Sequence, residues 1–377
     1  MSQLRNVLWT HQGLSLPHNV TKETLDVLPG FQIRNDDVVV ASYPKTGTNW
    51  LIEIVVKILR ASGKTKESVD TMTVGAMELR RPTASQPGYV KLAELLSPRL
   101  LITHLPIQFA PKGISKPQNK VKVLVPMRNP KDTAVSMFHF SKEIVPMLGG
   151  NAYDLRWEDF VQDYSAGIVP YGDFCDHVSG WWQMRDDPHF LFLKYEDMKK
   201  LGRQEGTPLF KVDTTGILGR QEGTPLFKVD TTGILGRQEG TPLLKADTTG
   251  ILGRQEGTSL LKADTTEILG RQEGTPLLKA DTTGTLGRQD LLSAVKTIVT
   301  FLEVDLDEST VKGIAEASTF NNMKPDLDNA AAAERRHIAR KGIVGDWKNY
   351  FSTEESEAFD AWCEKKLGGA GLTFDFE

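Results

Sequence analysis

Four short segments carry residue types that could do chemistry together. Tyr43-Pro44-Lys45-Thr46-Gly47-Thr48-Asn49-Trp50 puts a lysine, two threonine hydroxyls and a glycine directly ahead of an apolar run with helical spacing. Unpaired N–H groups at such a helix start favour a phosphate or sulfate, so the segment predicts an anion site. Arg128 ends a second apolar stretch and Ser136 follows eight residues on, both within reach of an anion above a sheet edge. Arg340-Lys341-Gly342 sets two cations beside a residue that lets backbone approach a ligand closely. His104, in the run LLITHLP, has an intrinsic pKa near neutrality that suits taking the proton of a hydroxyl as its oxygen attacks. Taken singly, each has a plainer alternative: a threonine helix cap, an arginine that caps carbonyls or pairs with Asp132, a solvated basic turn, a core histidine.

Absent patterns narrow the chemistry. The Walker order G-x-x-x-x-G-K-[ST] does not occur, because Lys45 precedes Gly47. The second apolar stretch ends in Met127-Arg128, where a nucleotide triphosphatase needs a Mg²⁺-binding aspartate. ATP or GTP hydrolysis is therefore disfavoured, and no metal is expected.

The elements that must position these residues can be read from apolar patterning. DDVVVASY at 36–43 predicts a buried strand, PKTG a tight loop, and 48–62 a helix. KVKVLVPM at 120–127 predicts a second strand followed by a helix through TAVSMFHFSKEI, and HFLFLKYEDM at 189–198 a third. Strands alternating with helices predict an α/β fold: a central parallel sheet flanked by helices in three layers, P-loop-like, with ligand groups at the carboxyl ends of the strands.

The 377 residues are 39% hydrophobic and 25% charged, with a net charge of −4, as in an ordinary soluble protein able to bury a large core. No basic excess points to nucleic acid. The N-terminal segment lacks an apolar h-region, and LIEIVVKIL at 51–59 is short and broken by Glu53 and Lys57, so neither secretion nor a membrane span is expected. Two cysteines, Cys175 and Cys363, cannot form a disulfide framework, and a cytoplasmic location fits best.

A seventeen-residue unit, LGRQEGTPLFKVDTTGI at 201–217, recurs in tandem from 218, 235, 252 and 269 and breaks off as LGRQ at 286–289. Its density of Gly, Pro and Thr excludes a helical solenoid, and each unit offers only a short apolar patch. Irregular or disordered structure is expected, with a β-rich array as the alternative. The near identity of the copies has the form of a tandem duplication. Cutting out 201–289 joins KYEDMKK to DLLSAVKTIVTFLEVDL, restoring a strand, turn and amphipathic helix. The chain is thus expected to hold one discontinuous domain, 1–200 with 290–377, interrupted by the array at 201–289.

YPKTGTNW, THLP, RNPKDTAVSMFHF, KYEDM and RKGIVGDWKNYF, in this order and spacing, resemble the cytosolic sulfotransferase family, and WEDFVQDYSAGIVPYGDFCDHVSGWW at 157–182 extends the likeness. The resemblance covers everything outside the repeats. It implies transfer of a sulfuryl group from 3′-phosphoadenosine 5′-phosphosulfate (PAPS) to a hydroxyl or amine of a small acceptor such as a phenol, steroid or alcohol. Carried over motif by motif, Lys45, Thr46, Gly47, Thr48 and Asn49 would hold the 5′-phosphosulfate, with Lys45 stabilising the leaving oxygen. Trp50, Tyr195, Ser318 and Phe320 would surround the adenosine, Arg128, Ser136, Arg340, Lys341 and Gly342 would bind the 3′-phosphate, and His104 would be the base. Phe138, His139, Phe140 and the stretch 144–150 are pocket-shaping candidates on the acceptor side.

Three departures bear on function. Many relatives carry a lysine two residues before the histidine, where this chain has Ile102. The family's dimer motif K-x-x-x-T-V-x-x-x-E becomes Lys348…Ser352-Thr353…Glu357, so a homodimer through this segment is expected on a weaker pattern. The repeats follow shortly after Tyr195. A catalytically weak nucleotide-binding relative, or an interaction protein acting through the repeats, are the alternatives these departures leave.

Overall fold

The computed structural model describes residues 3–64, 75–80, 86–147, 155–200, 209–212, 226–229, 244–246, 290–328 and 340–376. A hairpin comes first, β1 (Leu8–His11) and β2 (Leu14–Pro17), joined by Gln12 and Gly13 at φ 49° and 83°. Both turn residues lie in the left-handed region, as a two-residue hairpin loop that follows the strand twist requires.

Four parallel strands then build the central sheet in the order β4-β3-β5-β6: β3 (Val38–Ala41), β4 (Leu100–Thr103), β5 (Lys122–Met127) and β6 (Phe190–Lys194). Val38 pairs with both Leu100 and Lys122, and Val123 with Phe190, so the strands end nearly level. Side chains alternate across the sheet. Val38, Val40, Leu100, Ile102, Leu124 and Leu193 share one apolar cluster with the Thr48–Ala61, Leu291–Phe301 and Glu308–Ala317 helices. Phe190 and Phe192, one residue out of phase with Leu191 and Leu193, meet Trp181 and Trp182 of the Phe174–Trp182 helix on the other face.

At the amino edge of the sheet, Arg99 Nε donates to Asp37 Oδ1 at 2.8 Å, and the two side chains are only 1% and 0% exposed. Removing one partner of a buried pair costs about 3–5 kcal/mol, so this contact fixes the edge remote from the loops at the strands' carboxyl ends. All four carboxyl ends carry candidate site residues: Ser42 to Gly47 follow β3, His104 follows β4, Arg128 follows β5, and Tyr195 follows β6. The apolar runs placed these strands within a few residues; Tyr195 belongs not to the third strand but to the Tyr195–Lys199 helix that begins where it ends.

The chain divides into two compact units, Met1–Leu201 with Arg288–Glu377, and Gly202–Gly287. Within the second, β7 (Leu209–Val212), β8 (Leu226–Val229) and β9 (Leu244–Ala246) pair in parallel. For these segments the expectation of irregular structure is corrected to the β-rich alternative. Leu209 pairs with Leu226 and Phe227 with Leu244, so each residue lies beside its counterpart one repeat on, because identical copies bring identical strand formers into one register. The rest of 201–289 lies outside the described residues.

Candidate functional site at the carboxyl edge of the sheet

The loop after β3 reverses sharply, with Lys45 at φ 72° and Gly47 at φ 108°. Glycine takes this conformation freely, whereas a left-handed lysine costs about 1–2 kcal/mol, strain of a kind that gathers at functional sites. A Cβ at Gly47 would also stand 3.1 Å from the Tyr195 ring. The helix Thr48–Ala61 starts from this loop and turns its positive end toward the strand ends. Thr46 Oγ1 donates to the Tyr43 carbonyl at 2.8 Å, tightening the loop from within. Lys45 Nζ lies 4.6 Å from the Phe140 ring centre, and burial lowers its pKa to about 8, opposed by Glu143 and aided by Arg128 and Arg340.

His104 sits one strand over. Its Nδ1 is 2.9 Å from the Ser42 carbonyl, which can only accept, so Nδ1 carries the proton and Nε2 keeps a lone pair. Burial draws the imidazole down to about 4, the Ser42 bond opposing and Lys45 reinforcing, which leaves it neutral at pH 7. The His104 N–H donates to Glu78 Oε1 at 2.8 Å, and Thr103 Oγ1 to Glu78 Oε2 at 3.0 Å. Burial raises Glu78 to about 7 against these hydrogen bonds. Behind the site, His177 Nε2 donates to the His104 carbonyl at 3.0 Å. This ring, Glu78 and Ser42 give the sequence no motif of their own; only the fold joins them to His104.

A second group of residues forms a cationic wing. The Arg128 guanidinium stacks 4.4 Å from the centre of the Tyr195 ring, and its Nη2 donates to the Ile343 carbonyl at 3.1 Å. Its nearest approach to Asp132 is 3.8 Å, so both plainer alternatives for Arg128 are partly realised. Yet among the described residues Arg128 Nε is buried without a partner, as is Ser318 Oγ. Buried donors left unpaired are expensive, and an anionic ligand's oxygens would satisfy them.

Arg340 Nη2 and Lys341 Nζ both donate to the buried Asp346, the latter at 2.8 Å. Burial alone would raise the pKa of that carboxyl, but bonds from Lys341, Arg340 and Asn349 outweigh it and hold it at about 2. Asp132 fixes the same loop by accepting from Gly345 N at 2.8 Å and Trp347 N at 3.0 Å. Gly342, at φ 64°, packs against Phe320, whose ring a Cβ there would strike. Trp50 Nε1 donates to the Ser318 carbonyl at 2.7 Å, and the Trp50 and Tyr195 rings lie 5.2 Å apart. The fold thus links Trp50 with Tyr195 and Ser318, Arg128 with Tyr195, and Gly342 with Phe320. Asn49 and Ser136 are half-buried on the two helices that leave the sheet edge, Ser136 on the Pro130–Met147 helix.

Ile102, where the expected cation is missing, is buried in the apolar cluster. On the acceptor side, Phe138 and His139 pack beside Tyr350, and His139 Nε2 is 2.6 Å from the Tyr350 hydroxyl. Residues 148–150 of the pocket-shaping stretch lie outside the described residues. Among the described residues no helix is long and apolar enough to cross a membrane.

A parallel α/β sheet with a phosphate-type loop, a neutral histidine and an arginine-lysine clasp defines a class of group-transfer enzyme, and comparison with known proteins supplies the family. The sulfotransferase domain family matches residues 35–205 and 287–371, and the chain belongs to that family. Mouse sulfotransferase 1B1 is 29% identical over 356 residues, covering 91% of this chain and 87% of that protein. The amine sulfotransferase of Oryctolagus cuniculus is 27% identical over 389 residues, covering 99% and 95%. Among solved structures, mouse sulfotransferase SULT7A1 complexed with PAP aligns with a TM-score of 0.61 at 24% identity, covering 96% of this chain and 95% of that one. Retinol dehydratase in complex with androsterone and the inactive cofactor PAP aligns with a TM-score of 0.63 at 18% identity, covering 99% and 95%. These likenesses establish the fold, and the family match establishes the reaction class, transfer of a sulfuryl group.

Proposed function

We propose that the chain moves a sulfuryl group from PAPS to a hydroxyl or amine of a small acceptor, with His104 as the base. The observation that carries this is the pairing of a neutral imidazole, free at Nε2, with a cationic wing whose Arg128 Nε and Ser318 Oγ lack partners. PAPS-type nucleotides fit this wing because their 3′-phosphate would meet Arg128 Nε and their adenosine Ser318 Oγ, and the sulfuryl group they supply is activated by its bond to the 5′-phosphate. PAP in the two neighbouring structures supports the same choice.

In this reading the donor lies along Lys45 to Asn49, with its adenosine beside Trp50, Tyr195 and Phe320. Arg128, Ser136, Arg340, Lys341 and Gly342 hold the 3′-phosphate. His104 Nε2 takes the acceptor's proton while Lys45 offsets negative charge on the departing phosphate oxygen, a task that rests on in-line positioning and placed cations. The acceptor belongs to the phenol, steroid, alcohol or amine classes, held by apolar walls that include Phe138 and Phe140. The chain works in the cytoplasm, which the two free cysteines Cys175 and Cys363 support, and a second copy docks through Lys348–Glu357. The array at 201–289 is an insertion into one discontinuous enzyme domain.

Donor-dependent sulfation of a phenol, steroid and amine panel tests the reading. His104→Ala should lower turnover at least about 100-fold while calorimetry shows adenosine 3′,5′-bisphosphate still bound. Tight nucleotide binding with no turnover in the unsubstituted chain would favour instead the weak relative that Ile102 suggests.

A further inference from the structure

Ser42 lies between the two halves of the reacting centre. Its Oγ is 3.2 Å from His104 Nδ1 and 2.8 Å from Thr48 Oγ1, the first hydroxyl of the helix that begins at the anion loop. The backbone carbonyl of Ser42 is 2.9 Å from the same Nδ1. The carbonyl contact fixes where the imidazole proton sits, and the two hydroxyls can continue the chain from it. A carbonyl accepts only, so Nδ1 is the protonated nitrogen, and with no lone pair left it donates to Ser42 Oγ as well. Ser42 Oγ, accepting there, still has its own proton to give to Thr48 Oγ1. In that order the Thr48 hydroxyl keeps a proton for an anion bound at the loop. An unprotonated Nδ1 would set its lone pair against a carbonyl oxygen.

We propose that Ser42 and Thr48 form a positioning relay that locks His104 with Nε2 free, and that an anion accepting from Thr48 strengthens it. This rests on the reading of His104 as the base. Hydrogen bonds in a chain polarise one another, so an anion on Thr48 makes its oxygen a better acceptor for Ser42, and Ser42 in turn a better acceptor for Nδ1–H. When Nε2 gains the acceptor's proton, the same two oxygens stabilise the imidazolium. The donor thereby readies the base before the acceptor is deprotonated, and a site without its donor holds a less committed histidine. Neither Ser42 nor Thr48 touches the acceptor's reacting oxygen in this scheme; both act through His104.

Long-range ¹H–¹⁵N spectra of the full-length, ¹⁵N-histidine-labelled protein test this directly. His104 should show a protonated Nδ1 and an unprotonated Nε2, and adding adenosine 3′,5′-bisphosphate should deshield the Nδ1 proton. Ser42→Ala keeps the backbone carbonyl and with it the Nδ1–H tautomer, but should shield the Nδ1 proton, abolish its response to the nucleotide and lower kcat about fivefold with acceptor KM nearly unchanged. Ser42→Thr should reverse these effects. Thr48→Val should keep the tautomer but lose the nucleotide-induced shift. An unprotonated Nδ1 in the unsubstituted protein, a Ser42→Ala variant with unchanged Nδ1 proton shift and kcat, or a nucleotide shift that survives Thr48→Val would each overturn the relay. Full turnover in His104→Ala alongside the predicted spectra would instead sink the base assignment and leave the relay standing.

Discussion

The two wings of the site handle charge in opposite ways. Around the reacting centre, burial pushes titratable groups toward neutrality: His104 to about 4 and Lys45 to about 8. In the cationic wing, Arg340 and Lys341 are tied to a carboxylate held at about 2, and Arg128 is braced by Tyr195 and Ile343. A base must be uncharged before it reacts, and a leaving-group cation gains from low dielectric. A binding clasp needs only fixed charge and geometry, which buried carboxylates keep in place until a phosphate arrives.

The contrast can be broken from either side, and Lys45→Met should do most damage. Loss of the cation at the leaving oxygen should lower kcat by about 100-fold or more in steady-state sulfation assays. The unsubstituted enzyme should lose kcat/KM for the donor as pH rises through about 8, because Lys45 is charged below that value and neutral above it. On the acid side, activity should hold until His104 protonates near 4. Lys45→Arg should abolish the alkaline limb if Lys45 causes it.

Arg128→Gln should act on the other wing: nucleotide affinity measured by calorimetry falls about 10- to 100-fold, as expected for losing hydrogen bonds to a charged group. The His104 spectrum should not change. Gly342→Ala comes next. Its Cβ would strike the Phe320 ring and its φ is left-handed, so nucleotide affinity should fall about tenfold with the Lys45 alkaline limb unmoved. Deleting 201–289 should have the smallest effect, leaving turnover within about twofold. A chain that lost its activity on this deletion would remove the array from the status of an insertion.

Much of this arrangement was legible in the chain. Lys45 to Trp50 announced itself because a helix start needs a loop just before it, and the residues that serve both lie side by side. Arg128 and His104 were legible because each ends an apolar run, and parallel strands align their ends. Asp346 stood within the quoted RKGIVGDWKNYF segment, but nothing in its spacing showed it would be buried beneath Arg340 and Lys341. Glu78 and Ser42 gave no signal, since they lie far from His104 along the chain and reach it only in the fold, Ser42 through the pairing of β3 with β4 and Glu78 through the segment whose Met77 N–H donates to the Ile102 carbonyl. The repeats misled for a related reason: a seventeen-residue unit too small to bury a core alone gains strand pairs once a copy of itself lies alongside.

The sequence by itself determined the order of strands and helices, the anion loop and the family, because these depend on residues close together or on patterns with a fixed period. The tertiary structure alone decided which histidine nitrogen is free, which cations are already paired and which buried donors still lack a partner. Those facts depend on hydrogen-bond partners drawn from different strand ends, whose distances to one another are set by sheet register and packing rather than by separation along the chain.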